Sequence, residues 1–164
     1  MYRTLIVLWT ITRVVATVLF LGWASLRLRR LDPFTGLVLP EWLKPAGVVL
    51  LLTGGTVVLL CGGMLSTPSI VPTEFVVRGV FRYVRNPMSL GAVTMMFGLG
   101  LSCRSISILL LSGLLFLFMH IFVVFVEEPG LEKRFGASYV QYKKSVNRWL
   151  PKYPRGIAMG GVVP

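Results

Sequence analysis

The chain alternates between long apolar runs and short polar breaks. Four runs stand out, at residues 5–26, 45–65, 88–103 and 106–126. A membrane-spanning helix needs about 20 residues at a rise of about 1.5 Å each. The first, second and fourth runs meet that length. The third is shorter, and only Arg104 and Ser105 separate it from the fourth. That spacing predicts a tight C-terminal helical hairpin whose first arm begins inside the preceding loop. No internal repeat and no low-complexity tract interrupts the pattern. The expected fold is all-α: a polytopic membrane protein with about four or five transmembrane helices. Gly54, Gly55, Gly62 and Gly63 in the second run, and Gly91, Gly98 and Gly100 in the third, permit close helix packing.

Composition strengthens this reading. Hydrophobic residues make up 55% of the 164 positions, and the mean hydropathy is +0.78. Too little polar surface remains to cover a soluble core. The net charge is +11, from 17 Lys and Arg against 6 Asp and Glu. The basic residues flank apolar segments, so they point to lipid headgroups and topology and exclude nucleic acid as a partner. Cys61 and Cys103 both lie in apolar runs and provide neither a disulfide framework nor a metal site. The first apolar run is too long for a signal-peptide core, and no small-residue cleavage site follows it.

Charge then predicts orientation. Arg3, Arg78, Arg82, Arg85 and the tail residues Lys133, Arg134, Lys143, Lys144, Arg148, Lys152 and Arg155 fall on one side of the runs. Arg27, Arg29, Arg30, Lys44 and Arg104 fall on the other. The basic bias places both termini and the loop before Met88 in the cytoplasm. The loop from Arg27 to Lys44 opposes this, since it too is basic. An interfacial helix around "LVLPEWLKP", carrying Trp42, would resolve the conflict. Arg13, inside the first run, either snorkels toward the cytoplasmic end or contacts a ligand headgroup.

Two polar constellations remain. The first is "GVFRYVRNPMSLG" at residues 79–91, rigid and basic at the lip of an apolar run. The second is "MHIFVVFVEEPGLEKRFGASYVQYKKSVNRWLPKYP". In a regular helix His120 and Glu127 share a face, with Glu128 about 100° away. Two of the chain's six acids then stand at a helix C-terminus, where the macrodipole disfavours them. That cost implies a cationic partner, either nearby arginines or a cationic ligand. Leu131, Phe135, Tyr139 and Tyr142 recur at helical spacing and predict one helical face over 131–142. That face either packs an amphipathic helix on the membrane surface or walls a flat ligand.

Together these motifs resemble the isoprenylcysteine carboxyl methyltransferase and phospholipid methyltransferase superfamily of integral membrane enzymes. The matching positions are Gly79, Phe81, Arg82, Arg85, Asn86, Pro87, His120, Glu127, Glu128, Phe135, Gly136, Tyr139, Tyr142 and Pro151. The resemblance divides the chain into N-terminal transmembrane helices (1–72), a methyltransferase-like cofactor-binding region (73–155) and a flexible tail (156–164). It implies S-adenosyl-L-methionine as cofactor and a lipophilic or lipidated substrate that enters from the membrane lipids. The active site would face the cytoplasm. Carried over residue by residue, Thr73, Glu74, Phe75, Val76, Phe81, Asn86, Pro87, Met88, Ser89 and Glu127 would contact the cofactor. Arg85 or Arg82 would clamp its carboxylate.

Glu128, His120 and Arg148 are the candidates for chemistry, Arg148 orienting a substrate carboxylate and Glu128 or His120 accepting a proton from an amine. His120 is better suited to a packed, hydrogen-bonded role than to that of a base. The chain departs from the family in two places. Ser89 replaces a common tyrosine, and Val123 stands where prenylcysteine members carry arginine. The resemblance implies methyl transfer to a lipophilic substrate in the manner of the isoprenylcysteine carboxyl methyltransferases, with an aminophospholipid nitrogen as the alternative acceptor. A non-catalytic membrane module that keeps the fold is the reading from another class.

Overall fold

The computed structural model describes residues 20, 22–32, 39–66 and 79–151. Most of the first apolar run, Thr73–Val76 and the tail at 156–164 lie outside the described residues. Every described element is helical, and no strand occurs among the described residues. Helix α1 spans Leu43–Ser66, α2 Pro87–Ser102 and α3 Ile106–Phe122. Beyond α3 the helix continues through a wide π turn, Val123–Glu127, into α4, Glu128–Phe135. Helix α5 covers Ala137–Ser145.

Leu43–Gly63 and the continuous stretch Ile106–Phe135 are long and apolar enough to cross a membrane, and α2 is a shorter apolar helix. The chain is thus an all-helical membrane protein. Leucines such as Leu52, Leu59, Leu110 and Leu114 point outward, as a lipid solvent requires. Polar side chains on these helices return to their own backbone. Thr53 and Thr56 donate to the carbonyls of Val49 and Leu52, both at 2.8 Å, so neither hydroxyl meets lipid unsatisfied.

Helices α1 and α2 run antiparallel along a seam of small residues. Gly47 and Gly54 lie seven apart on α1, and Gly91 and Gly98 lie seven apart on α2, so each pair marks one face. A Cβ added at Gly54 would meet the Met95 nitrogen at 2.5 Å and the Gly91 carbonyl at 2.6 Å. One added at Gly47 would meet the Ser102 nitrogen at 2.5 Å. Only hydrogen fits there, and backbone packs on backbone. Gly100 serves the same purpose against Leu109 of α3. Gly62 and Gly63, expected to act similarly, have nothing within 4 Å of an added Cβ among the described residues.

The expected hairpin forms. Ser105 N–H donates to the Gly100 carbonyl at 2.9 Å, and Arg104 N–H to Leu101 at 3.1 Å. This is a Schellman closure with Arg104 left-handed at φ 54°. Its side chain holds that conformation by bonding the Leu39 carbonyl at 2.6 Å and Glu41 at 3.0 Å. Ser105 caps α3 by accepting from Ile108 N–H at 3.2 Å, and Asp32 accepts from Ser107 N–H at 3.0 Å. The Arg29–Leu31 turn, Glu41, Lys44 and Arg104 therefore share one end of the bundle, as their grouping by charge anticipated. The interfacial helix expected around Trp42 is absent among the described residues. Residues 39–42 form coil and turn before α1, and residues 33–38 lie outside the description.

At the other end three expectations change. The acidic pair does not terminate a helix, because the helix runs on to Phe135. The π turn also alters the register. Glu128 N–H donates to the Val123 carbonyl, five residues back. In a regular helix those residues would stand about 140° apart; here both are buried. Absorbing one extra residue rotates the remainder of the helix by about 100°. Glu128 therefore takes the face that His120 occupies, and Glu127 turns away. Pro129 rationalises the wide turn, since it has no N–H to donate to the preceding turn. Finally, the single helix expected over 131–142 breaks at Gly136 (φ 56°, ψ −130°), between α4 and α5.

Candidate functional site

Gly79, at φ 55°, opens a 3-10 turn over Gly79–Arg82. The Val80 carbonyl accepts from Tyr83 and Val84, closing the turn. Pro87 then starts α2 at its first position, where no N–H is needed. Asn86 lies at the N-cap with its carbonyl receiving Leu90 N–H at 3.1 Å. Its side chain makes no capping bond, and its residue surface is only 8% exposed.

The tail closes over this loop. Arg85 N–H donates to the Asn147 carbonyl at 3.0 Å. Tyr139, Tyr142 and Val146 are buried, with Phe81, Leu131 and Phe135 packed against them. The aromatic face expected from the sequence thus survives the break at Gly136. It forms the core joining tail to loop. The Tyr142 hydroxyl donates to the Phe81 carbonyl at 2.6 Å. Burial and the nearby Glu128 charge push the Tyr139 phenol up to about 12, and burial raises Tyr142 as well.

Glu128 is the centre, 3% exposed. Arg148 grips it bidentately, through Nε at 2.6 Å and Nη2 at 3.0 Å. Arg85 Nη1 approaches at 3.1 Å and Lys143 Nζ at 3.4 Å. The two Arg148 contacts are hydrogen bonds, and Arg85 and Lys143 add positive charge at ion-pair distance. Lys143 also bonds Glu132, which holds its ammonium above the usual lysine range. The Arg85 side chain is nine-tenths buried, and its Nε has no hydrogen-bond partner among the described residues.

Two turns below, Trp149 Nε1–H donates to His120 Nδ1 at 3.1 Å. Phe116 packs on both rings, at 5.3 Å from Trp149 and 6.2 Å from His120 between centroids. Arg148 and Trp149, neighbours in the tail, thus dock on Glu128 and His120 of one helix face.

Among the residues expected at the site, Arg85, Glu128 and Arg148 meet directly, with Asn86 and Pro87 alongside and Phe81 beneath. His120 joins through the tail. Met88 and Ser89 are half-buried in the first turn of α2. Glu127 is exposed and makes no ion pair among the described residues. Thr73, Glu74, Phe75 and Val76 lie outside the described residues. Sequence reasoning missed Lys143 and Trp149. Lys143 is one of many tail cations, and no local spacing pairs it with Glu128. Trp149 was visible in "VNRWLP", yet nothing local indicates its partner.

A family model described as phospholipid methyltransferase matches residues 43–138, more than half of the chain. The chain belongs to that family, a family of membrane methyltransferases. The match holds Arg85, Asn86, His120, Glu127 and Glu128, while Lys143, Arg148 and Trp149 lie beyond it. No curated protein and no solved structure matches the chain.

Proposed function

We propose that this member of the phospholipid methyltransferase family transfers a methyl group from S-adenosyl-L-methionine to a lipophilic acceptor. The observation that carries the reading is the buried Glu128 cluster. It draws the loop before α2, the far end of the hairpin and the tail into one polar site. Glu128, gripped by Arg148 and flanked by the Arg85 and Lys143 cations, acts as the strut of that site rather than as a base.

The groups left over fit the cofactor's chemistry. Glu127 presents a carboxylate suited to its ammonium or ribose hydroxyls, and Arg85 Nε a buried donor suited to its carboxylate. The Asn86 amide suits the adenine edge. The sulfonium, when bound, supplies an already activated methyl group. The chain's own task is to align the acceptor and exclude water.

An amine is the better acceptor. Arg148, the cation suited to steer a substrate carboxylate, is held by Glu128. Val123, at the position of the family's arginine, is fully buried. The chain crosses the membrane several times, with this site at the cytoplasmic face and the lipid entering between helices.

Calorimetry in detergent with S-adenosyl-L-methionine, wild type against Glu127→Gln, tests the cofactor assignment. At least tenfold weaker binding is expected, about 1.4 kcal/mol. Equal affinity in a folded variant removes Glu127 from the site. Labelled methyl transfer into phosphatidylethanolamine and a prenylcysteine analogue tests the acceptor. Transfer to the prenylcysteine alone refutes the amine, and tight cofactor binding without any transfer refutes catalysis.

A further inference from the structure

The tail lies deeper than its charge alone predicts. On the continuous helix Ile106–Phe135, large apolar side chains stay exposed from Leu110 to Val126, and Glu127 and Glu128 follow at once. Val126 therefore marks the cytoplasmic edge of the lipid-facing band. His120 lies six residues inside that edge, about 9 Å along the helix axis. Trp149 meets it there. Its indole Nε1–H donates to His120 Nδ1 at 3.1 Å, and its ring packs on Phe116, one turn further in, at 5.3 Å.

The hairpin gives the same depth by a separate route. Gly100 faces Leu109 across it. Counting equal numbers of residues from that contact puts Pro87 of α2 level with Phe122 of α3. Arg85, just before Pro87, donates its N–H to the Asn147 carbonyl at 3.0 Å. The tail backbone thus passes near the level of Phe122 and Phe125, both exposed on the lipid-facing helix. From there Arg148 reaches up to Glu128, and Trp149 reaches down to His120. Leu150, the next residue, is 74% exposed. At this depth its natural neighbour is hydrocarbon, whose cytoplasmic half is about 15 Å thick. Irregular backbone in that layer must have its polar groups met. The Asn147 carbonyl takes the Arg85 N–H, Val146 N–H bonds the Tyr142 carbonyl at 3.0 Å, and Pro151 has no N–H to satisfy.

We propose that residues 148–150 form a re-entrant wedge in the cytoplasmic leaflet, with Trp149 pinned to His120 and Leu150 lying against phospholipid acyl chains. The inference goes beyond the methyltransferase reading and does not depend on it. It makes the bilayer the partner of the tail and seats Arg148 at the edge of the hydrocarbon.

A nitroxide at Leu150→Cys, in the full chain lacking Cys61 and Cys103, tests this in nanodiscs of phosphatidylethanolamine and phosphatidylglycerol. Oxygen concentrates in hydrocarbon, and a water-soluble nickel chelate stays out of it. Oxygen should relax the label strongly, as it does at Leu114→Cys, a lipid-facing reference. The chelate should reach it roughly tenfold less than it reaches Lys144→Cys, because a polar complex is excluded from hydrocarbon. Strong relaxation by the chelate puts Leu150 in water and overturns the proposal. Weak relaxation by both reagents means that another part of the chain covers Leu150, and overturns it too. A second measurement needs no cysteine. The fluorescence that Trp149→Phe removes from the wild type should be quenched by lipids brominated along their acyl chains and spared by aqueous acrylamide; the reverse pattern overturns the proposal.

Discussion

Glu128→Gln is the most informative perturbation of this protein. The change keeps the shape of the side chain and one acceptor oxygen but removes the negative charge. Three cations lose this partner, and they do not lose equally, since Lys143 keeps Glu132. The Arg85 side chain is 9% exposed, against 26% for Arg148 and 34% for Lys143. Stripping a buried cation of its partner costs about 3–5 kcal/mol. Partly exposed partners recover water and lose about 0.2–1 kcal/mol each. Arg85 therefore dominates, and a loss of about 4 kcal/mol is expected. At about 2–4 °C per kcal/mol for a chain of this size, the thermal transition in detergent should fall by about 10 °C.

Charge matching supplies a second readout. In the double variant Glu128→Gln, Arg85→Gln no buried guanidinium is left unpaired. Its loss should be smaller than the sum of the two single variants by at least about 1 kcal/mol. A transition within about 2 °C of wild type for Glu128→Gln, or simple additivity in the cycle, would refute the assignment of Glu128 as the strut.

The glycine seam, the buried tyrosines and the topology are each open to test. Gly54→Ala drives a methyl into the α2 backbone and should cost about 1–3 kcal/mol, whereas Gly62→Ala, whose added methyl meets nothing within 4 Å among the described residues, should leave the melting temperature nearly unchanged. Alkaline pH should destabilise the fold between about pH 10, where an unfolded tyrosine ionises, and about 12, where folded Tyr139 does. Over that window the unfolded state binds fewer protons, so stability falls as pH rises; Tyr139→Phe should flatten this limb in alkaline melts, and an unchanged slope would exclude Tyr139 as a contributor. In a background lacking Cys61 and Cys103, a cysteine at Lys144 should label from the cytoplasmic side and one at Glu41 from the opposite side. Labelling of both from one side would refute the topology.

Much of the fold is dictated by local pattern, because in a membrane the solvent imposes a simple rule. Backbone polar groups must be satisfied within the segment, so a long apolar run has one outcome, a helix. Residues 45–65 and 106–126 were legible for that reason. So was the hairpin, since Arg104 and Ser105 leave room only for a tight turn. The loop before α2 was legible through Pro87, whose chemistry marks a helix start. The α1–α2 seam was half legible. Glycines announced close packing, but nothing local separates Gly47, which the seam needs, from Gly62 and Gly63, which it does not. Which face meets a neighbour depends on where that neighbour lies.

The site was legible as a set of residues and illegible as an arrangement. Sequence placed Glu127 beside His120 by assuming 3.6 residues per turn throughout. The wide turn at Val123–Glu127 breaks that assumption and brings Glu128 to the buried face. A register shift of one residue depends on partners far along the chain. Here those are Arg85, 43 positions before Glu128, and Arg148, 20 after it. No local periodicity encodes such pairings. The tail shows the same division. Its prolines and aromatics marked it as something other than a spanning helix, but only docking of Trp149 on His120 and of Tyr142 on the Phe81 carbonyl decided how its polar groups were satisfied.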